Sequence, residues 1–300
     1  MKNHFFKDKV ALITGSTLGI GKSLAYQLAR SGARVILNGR NNERLSALEQ
    51  AMRFEGLDVT GITADVTSNE DCKLLIQKTI ETYKRIDFLI LMAGLSMKGN
   101  IVELKPEVFR HVMETNYLGS VYPVINCLPY LIESKGSVIF ASSVAGMIGL
   151  PGLSAYCASK MSLTAFAESL KTEFSNQIKT GIIYISFTEN EPEKRIMAPN
   201  GMLMKKMELD AVMKYDTRER VVNMITNQLK SGKFICNYSL YGKAIRFFKF
   251  FLPCFILKVI TAANKKLPKP GVDLKTVGYE NQFSNLNLLF HYKNETTIGT

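Results

Sequence analysis

The 300-residue chain is poor in the residues that build covalent or metal frameworks. Its five cysteines (Cys72, Cys127, Cys157, Cys236 and Cys254) are odd in number and scattered, and no C-x-x-C pair occurs. They read as reduced thiols in a cytoplasmic setting, not as a disulfide framework. The three histidines, His4, His111 and His291, lie too far apart to suggest a ligand motif, so no metal is expected. The opening "MKNHFFKDKVALITG" has no long apolar stretch and no small-residue cleavage site, which argues against a secretory signal. No internal repeat or low-complexity tract stands out. Acidic residues are missing from Lys233 to Val272, where eight basic ones stand, so most of the net charge of +12 belongs to that segment.

What is present is the composition of a folded protein: 46% hydrophobic and 21% charged residues argue against global disorder. The first two-thirds alternates apolar runs with helical patterns. Strands are predicted at 9–15, 33–39, 58–65, 87–94, 136–143 and 181–187, with a short one at 232–236. Helices are predicted at 19–31, 41–55, 68–84, 106–134, around Tyr156, and at 216–231. Near-continuous Val, Ile and Leu in the strands is what a sheet covered on both faces requires. Strict β-α alternation predicts an α/β fold: a doubly wound parallel sheet of Rossmann type with helices on both faces, its ligand crevice at the strands' carboxyl ends. We read residues 1–236 as this unit, 237–270 as a basic apolar segment, and 271–300 as a polar tail.

The first strand–helix turn reads "TGSTLGIG", and Thr14, Gly15, Ser16, Gly19, Ile20 and Gly21 are its candidate nucleotide-binding residues. Gly15 permits a tight turn, Gly19 lets backbone approach a phosphate, and Gly21 allows close helix–sheet packing. A pyrophosphate would sit on the helix N-terminus, where unpaired N–H groups and the dipole favour anions. The second strand ends "LNGR". An NAD site usually has an acid here for the ribose 2′-hydroxyl; Gly39 leaves the place empty, and the Arg40 guanidinium can fork onto a 2′-phosphate. NADP(H) is therefore expected over NAD(H). Asp65 and Val66, after the third strand, fall where the adenine would lie.

Tyr156 and Lys160 stand at i and i+4 on one helix face, roughly 6 Å apart along the axis. A free phenol has a pKa near ~10 and exchanges protons poorly at neutral pH; a neighbouring ammonium and a positive nicotinamide are expected to lower it. With Thr14-Gly15-x-x-x-Gly19-x-Gly21, Ala93-Gly94, Asn116, and Ser143 thirteen residues before Tyr156, the chain resembles the short-chain dehydrogenase/reductase family over about residues 8–188. That resemblance implies that Tyr156 gives a proton to a substrate carbonyl and that Ser143 hydrogen-bonds the same oxygen. It implies further that Lys160 holds the nicotinamide ribose, and that Asn116 positions a water beside Lys160. Ala93, Gly94, Tyr156 and Lys160 would line the cofactor. A catalytically silent NADP(H) sensor or scaffold of the same fold is the alternative.

Two positions depart from the family pattern. Met92 stands where an asparagine is usual, and Glu189-Asn190 stand about where Pro-Gly is common. Residues 189–215, with five of the thirteen methionines, fall at the family's substrate lid, and flexible thioethers suit a large apolar ketone such as a steroid or long-chain lipid. Residues 244–260, "AIRFFKFFLPCFILKVI", hold five phenylalanines and three cations. They are shorter than a ~20-residue span, and Pro253 should break them into two helical pieces. Peripheral contact with an anionic membrane is expected, with burial of the phenylalanines at a homo-oligomer contact or over the active site as the alternative; no nucleic-acid motif accompanies the cations.

Overall fold

The structure, a computed structural model, describes residues 4–189, 193, 195–205, 216–236 and 240–265. The tail 271–300, Asn190 and residues 206–215 of the methionine-rich segment lie outside the described residues.

In chain order the elements are β1 (Val10–Thr14), α1 (Gly19–Arg30), β2 (Arg34–Gly39), α2 (Asn42–Phe54), β3 (Val59–Thr63), α3 (Asn69–Tyr83), β4 (Phe88–Leu91) and α4 (Pro106–Met113). They continue with α5 (Gly119–Ser134), β5 (Ser137–Ser143), α6 (Ser154–Glu173), β6 (Lys179–Ile185), β7 (Arg195–Met197), β8 (Leu203–Lys205) and α7 (Arg218–Ser231). Last come β9 (Ile235–Cys236), α8 (Leu240–Phe251) and α9 (Pro253–Lys265). Seven strands form one parallel sheet in the order β3-β2-β1-β4-β5-β6-β9, while β7 and β8 make a separate antiparallel hairpin.

Successive strand residues face opposite sides of the pleat, and each side carries its own helices. Ala11 and Ile13 join one apolar cluster with Leu24 of α1, Leu45 of α2 and Ile225 of α7. Leu12 joins the other, with Leu75 of α3, Leu131 of α5 and Leu163 of α6. Both faces are covered, so β1 and β4 are buried at every residue, which explains their unbroken apolar sequence. The strand order reverses between β1 and β4, and the crevice opens at their carboxyl ends.

Asp87 fastens the opposite, amino-terminal end of the central strands. Its carboxylate accepts from the Val10 amide (2.9 Å), from Lys9 Nζ (3.0 Å) and from two Arg85 nitrogens (2.9 and 2.7 Å). Burial opposes the charge, but these donors outweigh it and hold the carboxyl below its usual range. All five cysteines are free thiols, and burial pushes those of Cys72, Cys127 and Cys157 up in pKa.

The predicted helix 106–134 differs in detail. Between α4 and α5 lies a five-residue π turn, Glu114–Leu118, which carries Asn116. The break at Pro253 falls where the ring requires it, at the first position of α9.

Candidate active site

The turn after β1 is built by contacts too close for side chains. Gly15 has φ +62°, and a Cβ there would lie 2.7 Å from Ala93 Cα. Gly19 is also left-handed, at φ +57°. A Cβ on Gly21 would strike the Gly15 carbonyl oxygen, so this glycine packs α1 against the turn itself, not against the sheet as the sequence suggests. Thr14 Oγ1 accepts from the amides of Met92 and Ala93 (both 3.2 Å) and ties the loop after β4 to the turn. Leu18, the N-cap residue of α1, offers no side-chain hydrogen bond to the helix, whose N-terminus faces the crevice end of the sheet. Ser16 is a correction in role: it is buried, its amide donates to Asn38 O (2.9 Å) and its hydroxyl accepts from Asn38 N (2.8 Å). It shapes the turn with groups already committed to β2. Ile20 packs against the core cluster beneath.

No acid stands at Gly39, and a Cβ there would lie 2.6 Å from the Thr17 methyl, which packs over the glycine. Arg40 is exposed and pairs loosely with Asp65 (3.5 Å). Asp65 also accepts from the Thr67 amide (3.0 Å) and hydroxyl (2.9 Å). Burial works against its charge, yet these hydrogen bonds and Arg40 leave its carboxyl below the usual range. Val66 is buried, and a Cβ on Gly119 would meet it at 2.8 Å.

Ser143 ends β5, and its hydroxyl accepts from Ala145 N (3.2 Å), capping the short 3₁₀ turn Val144–Gly146. It also stands near enough to Tyr156, in the first turn of α6, to favour the ionised form of the phenol. One turn on, Lys160 is buried; its Nζ donates to Ala141 O (2.8 Å) and lies 5.9 Å from the Tyr156 ring centre. Burial is the largest influence on the phenol and pushes its pKa up; the Ser143 hydroxyl opposes, and the net shift is upward. The lowering expected of Lys160 and a positive nicotinamide together is not seen in the protein alone, where Lys160 Nζ donates to Ala141 O.

Asn116 is fully buried. Its Oδ1 accepts from Leu95 N (2.6 Å), and its Nδ2 donates to Leu95 O (2.9 Å) and Ser159 Oγ (2.9 Å). The side chain assigned by resemblance to a water is thus committed to protein groups, and it latches the loop after β4 onto α6. A Cβ on Gly94 would lie 3.4 Å from both Asn116 Oδ1 and Lys160 Nζ, so Gly94 sits where the two converge. Ser159, which also donates to Tyr156 O (2.8 Å), went unmarked in the sequence; its place between Tyr156 and Lys160 in "YCASK" was the available signal.

The two departures find structural uses. Met92 packs against the core cluster while its amide serves Thr14. Glu189 donates its amide to Asp216 O (3.1 Å), and its carboxylate accepts from Arg218 N (3.4 Å) at the start of α7. An acid there suits the positive end of the helix.

The β7–β8 hairpin lies along the loop after β4. Met197 N donates to Ser96 O (2.9 Å), and Lys98 N to Met197 O (3.0 Å). Met97, Val108, Val112, Ala155 and Met197 form a small apolar cluster, and Tyr156 packs on it with Leu95 and Leu104. The phenol therefore stands between a polar pair and an apolar wall.

The model of the short chain dehydrogenase family matches residues 9–199, and the chain belongs to that family. It is 36% identical over 205 residues to an 11-beta-hydroxysteroid dehydrogenase of Pinus massoniana, covering 67% of this chain and 58% of that one. It is 38% identical over 174 residues to 11-beta-hydroxysteroid dehydrogenase B of Sesamum indicum, 57% and 48% of the two lengths. The chain thus spans about half the length of these relatives. Among solved structures it resembles the actinorhodin polyketide ketoreductase with NADPH (TM-score 0.58, 30% identity, 60% of this chain and 71% of that one). It also resembles a gluconate 5-dehydrogenase from Burkholderia cenocepacia in complex with NADP and tartrate (TM-score 0.59, 25% identity, 62% and 75%).

Proposed function

We propose that the protein is an NADP(H)-dependent oxidoreductase that interconverts a carbonyl and an alcohol on an apolar, steroid-like or long-chain lipid substrate. The observation that carries this reading is the convergence of Ser143, Tyr156 and Lys160 with Gly94 of the loop tied to the glycine turn. A dinucleotide fits the residues present: left-handed Gly15 and Gly19 open the turn, and α1 begins directly after it, its dipole favouring a pyrophosphate. The exposed Arg40 offers a guanidinium for a 2′-phosphate, and Gly39 provides no acid for an NAD ribose, which supports the reading. The solved relatives named above that hold NADP or NADPH support the same choice.

The bound dinucleotide supplies the hydride. In the reducing direction Tyr156 gives its proton to the carbonyl oxygen, and Ser143 donates a hydrogen bond to that oxygen as charge builds on it. A phenol held protonated by burial is in the form that donation requires. Lys160, anchored on Ala141 O, presents its ammonium beside Gly94, where ribose hydroxyls would lie. The partly exposed Leu95 and Leu104 beside Tyr156 suit a substrate with little polarity, as do relatives named for hydroxysteroids.

The test is NADPH consumption against a panel of apolar ketones. Wild-type protein turns over at least one of them; Tyr156→Phe loses turnover by about a hundredfold or more and still binds NADPH. NADPH binding by both proteins with turnover by neither would instead support the silent-sensor reading.

A further inference from the structure

The two helices after β9 bury little and expose much. Ile245 of α8 and Ile256 of α9 are inserted against Val144 and Ile148, in the loop that leads from Ser143 towards Tyr156. The amide of Leu150, in the same loop, donates to Cys157 Sγ (3.3 Å), beside Tyr156 on α6. The outer side of the pair is aromatic: Phe250 is 79% exposed and Phe251 62%, with Phe247 and Phe255 about half exposed. Phe247 and Phe251 touch at 4.8 Å between centres and Phe250 and Phe251 at 4.9 Å, and Phe248 links Phe247 (5.6 Å) to Phe255 (5.6 Å), so the rings form one contiguous apolar patch. Patches of this kind mark a surface that meets a partner.

Charge and chemistry identify the partner. Lys243 and Arg246 are exposed and stand four residues before Phe247 and Phe250, so cations and rings share a side of α8. Lys258 adds an exposed cation on α9, and no acidic residue occurs from 233 to 272. Residues 244–260 contain no Ser, Thr, Asn or Gln, so the face has cations and hydrocarbon but no groups for directional, shape-specific recognition. Among the described residues no helix is long and apolar enough to cross a membrane.

We propose that α8 and α9 lie flat on an anionic lipid bilayer. Phe247, Phe250, Phe251 and Phe255 enter the headgroup boundary while Lys243, Arg246 and Lys258 meet lipid phosphate and carboxylate. The buried side of the pair rests on the loop between Ser143 and Tyr156, so docking holds the catalytic crevice at the membrane surface. An apolar ketone then reaches Tyr156 from the bilayer without crossing water. This second part rests on the proposed oxidoreductase activity; docking itself does not.

Flotation of the full-length chain with vesicles of phosphatidylcholine plus phosphatidylserine, and of phosphatidylcholine alone, tests the docking. The wild type floats with the anionic vesicles and is released by salt. Phe250→Glu/Phe251→Glu, altered only at exposed rings, loses at least roughly tenfold in partitioning. Lys243→Ala and Arg246→Ala each lose about fivefold on anionic vesicles. Docking is overturned if the wild type stays unbound, if the double variant floats as well, or if the double variant merely splits a dimer that never floats. For delivery, NADPH-dependent reduction is compared for a water-soluble ketone and a vesicle-dissolved one. The double variant keeps the first rate and loses the second; equal loss of both, or of neither, overturns delivery. A wild type that floats but reduces no carbonyl contradicts the oxidoreductase reading alone.

Discussion

Tyr156 holds its proton under opposed influences, burial raising its pKa and the Ser143 hydroxyl lowering it, with burial ahead. The acid form therefore persists through neutral pH and is lost only above the ordinary value of a tyrosine, ~10. Carbonyl reduction with NADPH should show no loss from this group through neutrality and a fall only on the alkaline side, read from kcat/KM against pH. Ser143→Ala removes the lowering influence, so that limb moves to higher pH, while kcat drops by roughly a hundredfold as the oxygen loses a donor. Arg40→Ala should weaken NADPH binding by about tenfold, the loss of a charge-assisted hydrogen bond, and leave NADH binding unchanged. The identities of Tyr156, Lys160, Ser143 and Arg40 were legible as motif positions. The upward shift of the phenol was not, because the burial that causes it is assembled by packing between segments distant in the chain.

At the scale of elements, the glycine turn and the caps do measurable work. Gly15→Ala places a Cβ against Ala93 backbone at positive φ and should destabilise by about 1–3 kcal/mol, seen in urea unfolding, with weaker NADPH binding. Thr217 accepts from Arg220 N (3.2 Å) at the start of α7, and Thr217→Ala should cost about 1 kcal/mol by the same measurement. The β7–β8 hairpin escaped sequence reading because its strands are only three residues long and too short for a period. A signal was there: Asn200-Gly201 sits in its loop, Gly201 has φ +94°, and Ala198 N donates to Met202 O (2.8 Å). The π turn at Glu114–Leu118 had no such signal, since one extra residue in a helical turn leaves the apolar pattern nearly unchanged.

Across the whole molecule, Asp87 links the starts of β1 and β4 and makes stability respond to acid. Its carboxyl is held below the ordinary aspartate value of ~3.9, so its stabilisation is complete above that value. It declines as pH falls through the lowered native pKa. Asp87→Asn should cost about 2–3 kcal/mol at neutral pH, discounted because Lys9 and Arg85 are about half exposed. The difference in melting temperature between variant and wild type should shrink below about pH 4.

The sequence by itself determined the doubly wound sheet, because strands buried on both faces must be apolar at every position and crossover helices must carry a stripe. It also determined the break at Pro253, because the ring has no N–H to give. Only the tertiary structure decided what each polar atom faces: Ser16 turned to Asn38, Asn116 latched to Leu95 and Ser159, Thr17 filling the space at Gly39, and α8–α9 seated beside Ser143. Those partners are brought together by packing across many residues of chain, and no local pattern encodes them.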